Sequence, residues 1–280
     1  MTDGMPIGKW LLLIVKGMLI GAGAILPGIS GGVLMLVFGI YQPVIAFLAH
    51  PVRTFRTYVA LFIPLVIGWA LGFWLIARLL SDVFARWELQ AMCVFIGLIL
   101  GMFPELFRQS SLHGRTKGSW LGLALCTAGF LALFFYLQVV AQIALTPNVL
   151  WFAFCGVLWG LSLIVPGLTS SSLLMFLGLY VPMTEGLGSM DPAVVIPWII
   201  GIAATVLLLA KVVERLFRRH YSVAFHCIIG VVIASTIPII PVHFAGVGQG
   251  LFCLLLAVIG FLIAWGMDRW GRRWEAEKNE

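Results

Sequence analysis

Read from its N-terminus, the chain alternates long apolar runs with short polar connections. Six runs, at 58–79, 89–107, 119–140, 193–211, 222–240 and 249–267, approach the ~20 residues with which a helix crosses ~30 Å of hydrocarbon. Two further apolar stretches, 10–48 and 150–181, are broken near their middles by Pro-Gly and a cluster of glycine or hydroxyl residues. The broken stretches are copies of one another. Gly17–Pro43 (GMLIGAGAILPGISGGVLMLVFGIYQP) recurs without a gap 139 positions later as Gly156–Pro182 (GVLWGLSLIVPGLTSSSLLMFLGLYVP). Such a repeat fixes the architecture before any other feature is read.

The correspondence runs on past the motif. Gly68, Gly97 and Pro104 match Gly201, Gly230 and Pro238 loosely, and Gly129-Phe130-Leu131 matches Gly260-Phe261-Leu262. The expected fold is therefore an all-α polytopic membrane protein of two halves, 1–145 and 146–280. Each half holds one broken segment followed by three transmembrane helices.

Charge sets the orientation. Lys9, Arg53/Arg56, Arg108/Arg115/Lys117, Arg215/Arg218/Arg219 and Arg269/Arg272/Arg273 mark basic connections. The remaining loops are balanced, uncharged or acidic, as at Glu185 and Asp191. Basic loops stay in the cytoplasm, which puts both termini there. The two sets alternate throughout only if each broken segment returns to the side it entered from. Each half then crosses an odd number of times, and the second is inverted relative to the first, as in many transporters. Pro27 and Pro166 fit such re-entry, because each removes an amide donor and disfavours helix just before it.

Composition agrees. Charged residues make up 10% of the chain, against about 25% in soluble proteins, so lipid is the surrounding solvent. The net charge of +6 sits in the loops and reports topology, not nucleic-acid binding. Five scattered cysteines with no CxxC pair imply neither disulfides nor metal. Lys16 within the first apolar run argues against a cleaved signal peptide, so the N-terminus is expected to be retained. No cofactor motif is present.

After Pro27-Gly28 the first copy offers Ser30, Gly31 and Gly32; after Pro166-Gly167 the second offers Thr169, Ser170, Ser171 and Ser172. Ser and Thr cap helices, and the amides of a new helix lie just beyond. Two returning half-helices would aim their positive ends at the membrane interior, a setting suited to phosphate or carboxylate. Ionisable residues near hydrocarbon are further candidates. Arg78 and Lys211 end equivalent helices and are expected near opposite faces, as capture points for an anion. Lys16 is a third candidate contact, and Glu105 reads as a plain helix-end charge first, with pairing to an arginine or carriage of a proton as the other readings. His226 reads as a packed or interfacial histidine, and Trp10, Trp87, Trp151 and Trp198 as an aromatic belt.

The chain lacks HExxH, GxxxxGK[ST] and the Rossmann glycines, and no catalytic residue is expected. Pro166–Ser172 is similar to the serine-bearing loop of membrane undecaprenyl-pyrophosphate phosphatases. Those enzymes add glutamates and a histidine, whereas 10–40 and 151–184 contain neither, so the phosphatase is the second choice. A small-anion channel is a third reading. Together PGISGG (Pro27–Gly32) with Phe38–Tyr41, and PGLTSSS (Pro166–Ser172) with Leu177–Tyr180, resemble the PopT-type polyprenyl-phosphate transporter family. That resemblance implies a bacterial cytoplasmic-membrane protein that returns the carrier lipid undecaprenyl phosphate to the inner leaflet for cell-envelope synthesis.

Overall fold

The computed structural model describes residues 7–26, 34–35, 38–40, 43–44, 51–112, 114, 116–136, 146–165 and 170–279. Among these the regular structure is all helical. The order is α1 (Ile7–Ile25), α2 (Pro51–Ser110), α3 (Lys117–Phe135), α4 (Val149–Ile164), α5 (Ser170–Phe176), α6 (Tyr180–Gly188), α7 (Pro192–Thr236) and α8 (Val247–Asn279). A short 3-10 turn, Ile237–Ile239, follows α7, where Pro238 cannot continue the helix.

Six stretches among the described residues are long and apolar enough to cross a membrane: Ile7–Ile25, Val59–Ser110, Lys117–Phe135, Pro192–Phe217, Arg219–Ile239 and Val247–Trp270. Their outward faces are greasy. Leu207 and Leu208 are 79% and 73% exposed, a surface suited to lipid.

Helix starts follow local chemistry. The Thr116 hydroxyl accepts from the Ser119 amide and the Ser119 hydroxyl accepts from Thr116, a reciprocal capping box for α3. Asn148 caps α4 through the Trp151 amide, and Asp191 caps α7 through Ala193, with Pro192 in the first turn.

The spans expected at 58–79 and 89–107 belong to one long helix, α2, bent at Trp87 (φ −138°, ψ 49°). Those expected at 193–211 and 222–240 belong to α7, bent at His220 (φ −137°, ψ 46°). Neither Leu80–Glu88 nor Lys211–Tyr221 contains Gly or Pro, so helix persists until one residue departs from it. Each long helix is thus a pair of limbs.

Packing is alike around the two broken segments. In the first, Gly17 lies against the Leu65 carbonyl and Gly68 against that of Ile14; in the second, Gly156 meets the Trp198 carbonyl and Gly201 that of Ala153. A methyl group at any of the four would strike backbone, so only glycine permits this approach of α1 to α2 and of α4 to α7. The later limbs exchange partners. The limb of α2 after Trp87 packs on α8 through Gly97 and Gly260, and the limb of α7 after His220 packs on α3 through Gly230. The first long helix therefore holds α8, and the second holds α3. One apolar core, including Phe73, Phe84, Phe95, Trp159, Leu174, Tyr180 and Val232, runs through both.

Candidate functional site

The broken segments end alike. In the first copy the Phe38 amide donates to the Leu34 carbonyl (3.0 Å) and Ile40 to Met35 (2.8 Å); in the second Leu177 donates to Leu173 (3.0 Å) and Leu179 to Leu174 (2.9 Å). Gly39 (φ 73°) and Gly178 (φ 69°) turn the chain between them, in a left-handed conformation that favours glycine.

The two segments also meet. Tyr180, 1% exposed at the start of α6, donates its hydroxyl to the Ile25 carbonyl at the end of α1 (3.0 Å). A last-turn carbonyl of one broken segment, with no helical partner of its own, is thereby satisfied by the other. Burial pairs them in a core made by Phe84 and Phe95, whose rings meet the Tyr180 ring edge-on.

At the second break Val165 is extended (φ −104°, ψ 107°), as the following Pro166 requires. Pro166, Gly167 and Thr169 lie outside the described residues, as do Pro27, Gly28, Ser30, Gly31 and Gly32 of the first break. Ser170, Ser171 and Ser172 open α5 and are all buried. The Ser170 amide donates to the Ser162 hydroxyl (2.9 Å), which itself donates to the Leu158 carbonyl (3.2 Å). That amide is engaged by α4. Ser172 Oγ lies 3.1 Å from Ser235 Oγ, and Thr236 Oγ1 donates to the Val232 carbonyl (2.7 Å). The serines thus belong to a buried hydroxyl cluster shared with the end of α7. Ser162, Ser235 and Thr236 were not singled out from the sequence; a Ser-Thr pair just before Pro238, ending an apolar run, was the available signal.

Two indoles adjoin this region. Trp159 and Trp198 pack edge to face (5.5 Å between ring centres) and against Phe73 of α2. Both Nε1 donors are buried and, among the described residues, have no acceptor. Trp198 is thus a core residue and not a member of an aromatic belt, because its Cα face is where Gly156 admits α4 so closely. Beside the Gly178 turn, a cavity of about 230 Å³ is lined by Phe84, Glu88, Met92, Met175, Tyr180 and Val181, among others.

The charged candidates are dispersed. Lys16 Nζ donates to the Phe38 carbonyl (3.1 Å), so it ties α1 to the turn that closes its own segment. Arg78 is exposed on α2; its Cα lies against Gly188, whose carbonyl accepts from Trp74 Nε1 (2.8 Å). Lys211 is exposed on α7. Among the described residues neither Arg78 nor Lys211 forms a salt bridge. Glu105 accepts from Arg108 Nε (2.8 Å), Gln109 (2.9 Å) and Arg272 Nη1 (2.8 Å), which joins α2 to α8. His226 is fully buried, with Nδ1 2.7 Å from the Ser222 carbonyl and its ring against Trp120.

A lipid-facing helical bundle built around two like, interrupted segments defines a multi-pass membrane protein. A sequence profile described as undecaprenyl phosphate translocase-like matches residues 4–119 and 109–246. The chain belongs to that family. It is 23% identical over 248 residues to a polyprenyl-phosphate transporter of Vibrio cholerae, covering 83% of this chain and 78% of that one. It is 24% identical over 287 residues to a polyprenyl-phosphate transporter of Staphylococcus aureus, covering 93% and 96%. No solved structure matches.

Proposed function

We propose that the protein moves a polyprenyl phosphate of the undecaprenyl class between the leaflets of a bacterial cytoplasmic membrane without altering it chemically. The observation that carries this reading is the Tyr180–Ile25 hydrogen bond, which joins the two broken segments in the core of a lipid-exposed bundle. Family membership supports the substrate class.

The physical task is to carry an ionised headgroup past hydrocarbon. The idealised cost of desolvating such an ion is of order 20 kcal/mol, whereas the isoprenoid tail is at home in lipid throughout. Only the headgroup needs a polar path. Ser170–Ser172 supply hydroxyls to that path; Pro166, Gly167 and Thr169, and Pro27, Gly28, Ser30, Gly31 and Gly32, which lie outside the described residues, are the further headgroup contacts proposed from the repeat. Lys16, held at the closing turn of the first segment, adds positive charge close to it. Arg78 receives the phosphate on the outer side and Lys211 on the inner side.

The second broken segment is re-entrant on this reading. At 1.5 Å per residue its limbs, α4 with 16 residues and α5 with 7, are about 24 and 10 Å long, and neither covers ~30 Å of hydrocarbon. The halves, 1–145 and 146–280, are then inverted, with both termini cytoplasmic. The matching bends and glycine contacts support a shared architecture, and rocking of one half on the other supplies alternating access.

Binding to the purified protein tests the substrate class. Labelled undecaprenyl phosphate should bind more tightly than the uncharged prenol, and added undecaprenyl pyrophosphate should be recovered intact. No preference for the phosphate would contradict the proposal, and released inorganic phosphate would favour the phosphatase.

A further inference from the structure

The end of α8 buries an acid that the lipid path does not use. Asp268 is 7% exposed, and among the described residues its Oδ2 has no hydrogen-bond partner. An ionised carboxylate oxygen sealed from water without a donor is costly, and a proton on it removes the charge. The arginines that could neutralise it are already engaged. Arg272, one helical turn further along α8, and Arg108 of α2 both donate to Glu105. Glu105 also accepts from Gln109, so its oxygens are well supplied with donors. Among the described residues, the charged groups acting on Asp268 are Glu105 and Arg108 from α2 and Arg272 from its own helix. Tyr221 of α7 lies within the field of the same Glu105 and Arg108.

These four charged groups make a simple balance. With Asp268 ionised, two acids oppose two arginines and the cluster is neutral. With Asp268 protonated it carries one net positive charge. The adjacent residue, Met267, packs on the apolar cluster of Ile20, Leu34, Ile40 and Leu65, which belongs to the first broken segment and the helix beside it. A change of charge at Asp268 therefore occurs one residue from a contact with that segment.

We propose that Asp268 is a proton-binding residue, and that proton uptake there is coupled to binding of the anionic lipid headgroup. The proton comes from water at the end of α8 where Arg272 lies, adds to Oδ2, and leaves by the same route when the headgroup is released. No covalent bond to the lipid changes. The coupling rests on the transport reading above; the proton site itself does not.

Two measurements separate the claims. Infrared difference spectra of the purified protein, taken across a pH series without lipid, report a protonated carboxylic acid directly. Wild type should show a carbonyl band that titrates. Asp268→Asn should lack it, and Glu185→Gln, at an exposed acid, should keep it. No titrating band, or a band that survives in Asp268→Asn, overturns the proton site. In proteoliposomes, wild-type movement of labelled undecaprenyl phosphate should fall by about tenfold per pH unit above the midpoint, the slope of one titrating proton. Asp268→Asn should flatten that profile, and an unchanged profile overturns the coupling. Should the Asn variant misfold, Asp268→Glu must shift both band and midpoint, and an unmoved midpoint counts against the proposal. Wild type that moves no lipid at any pH refutes the coupling together with the transport reading, while the infrared result stands by itself.

Discussion

Trp87 and His220, 133 residues apart, interrupt their long helices with nearly the same backbone, at φ/ψ of −138°/49° and −137°/46°. The side chains have nothing in common beyond a ring. The geometry therefore follows from position: Trp87 joins a limb packed on α1 to a limb packed on α8, and His220 joins a limb packed on α4 to a limb packed on α3. Two copies of one plan hold each other by exchanging those later limbs.

The contact between the broken segments should matter to stability. Tyr180→Phe keeps the ring in its pocket but leaves the Ile25 carbonyl without its donor. A buried acceptor left unsatisfied costs about 1–3 kcal/mol. Thermal unfolding of the purified variant should occur at lower temperature than wild type, and an unchanged midpoint would mean that the bond is incidental.

Glycine contacts should be less forgiving. Gly156→Val places a branched side chain where the Trp198 carbonyl now lies, and Gly17→Val does the same at Leu65. Both variants should accumulate poorly or elute as aggregates. Gly129→Ala is the control, since nothing lies within 4 Å of the position its Cβ would take. Equal yields for all three would contradict the packing described.

Much of this was legible in the sequence. The gapless repeat aligns Gly39 with Gly178, and the structure adds that both are left-handed turns, a conformation that favours glycine. The bends at Trp87 and His220 were hidden, since neither site carries a breaker and a change of packing partner leaves no local signature. Trp198 looked like a belt residue because indoles favour interfaces; only its opposition to Gly156 puts it inside. Asp268 was passed over because, next to Arg269 and one turn from Arg272, it reads as part of a solvated helix end. Its burial depends on α2 lying alongside, which no local pattern encodes.

Arg78 and Lys211, equivalent in the repeat and both exposed, should act on different sides. Arg78→Gln should weaken capture of lipid from the outer leaflet, and Lys211→Gln should impair exchange at the inner one. Arg78→Lys should restore only part of the loss, because an arginine holds phosphate through two parallel hydrogen bonds and a lysine does not. Leaflet-specific access to labelled lipid in oriented vesicles reads this out; equal and mild effects on both sides would reduce both residues to helix-end anchors.

Inversion of the halves has its own test. In a cysteine-free background, a single cysteine replacing Glu185 should react with an impermeant reagent only from outside, and one replacing Arg215 only from the cytoplasm. Labelling at position 185 only from the cytoplasm would remove the inverted arrangement.

The most direct measurement is movement of the lipid itself. Purified protein is placed in liposomes, labelled undecaprenyl phosphate is added to one leaflet, and its appearance in the other is followed with a headgroup reagent that cannot cross. Wild type should move the label far faster than empty liposomes and return it chemically unchanged. Ser172→Ala, which withdraws a hydroxyl from the cluster with Ser235, should slow that movement at normal protein levels. Movement no faster than in empty liposomes would contradict the account.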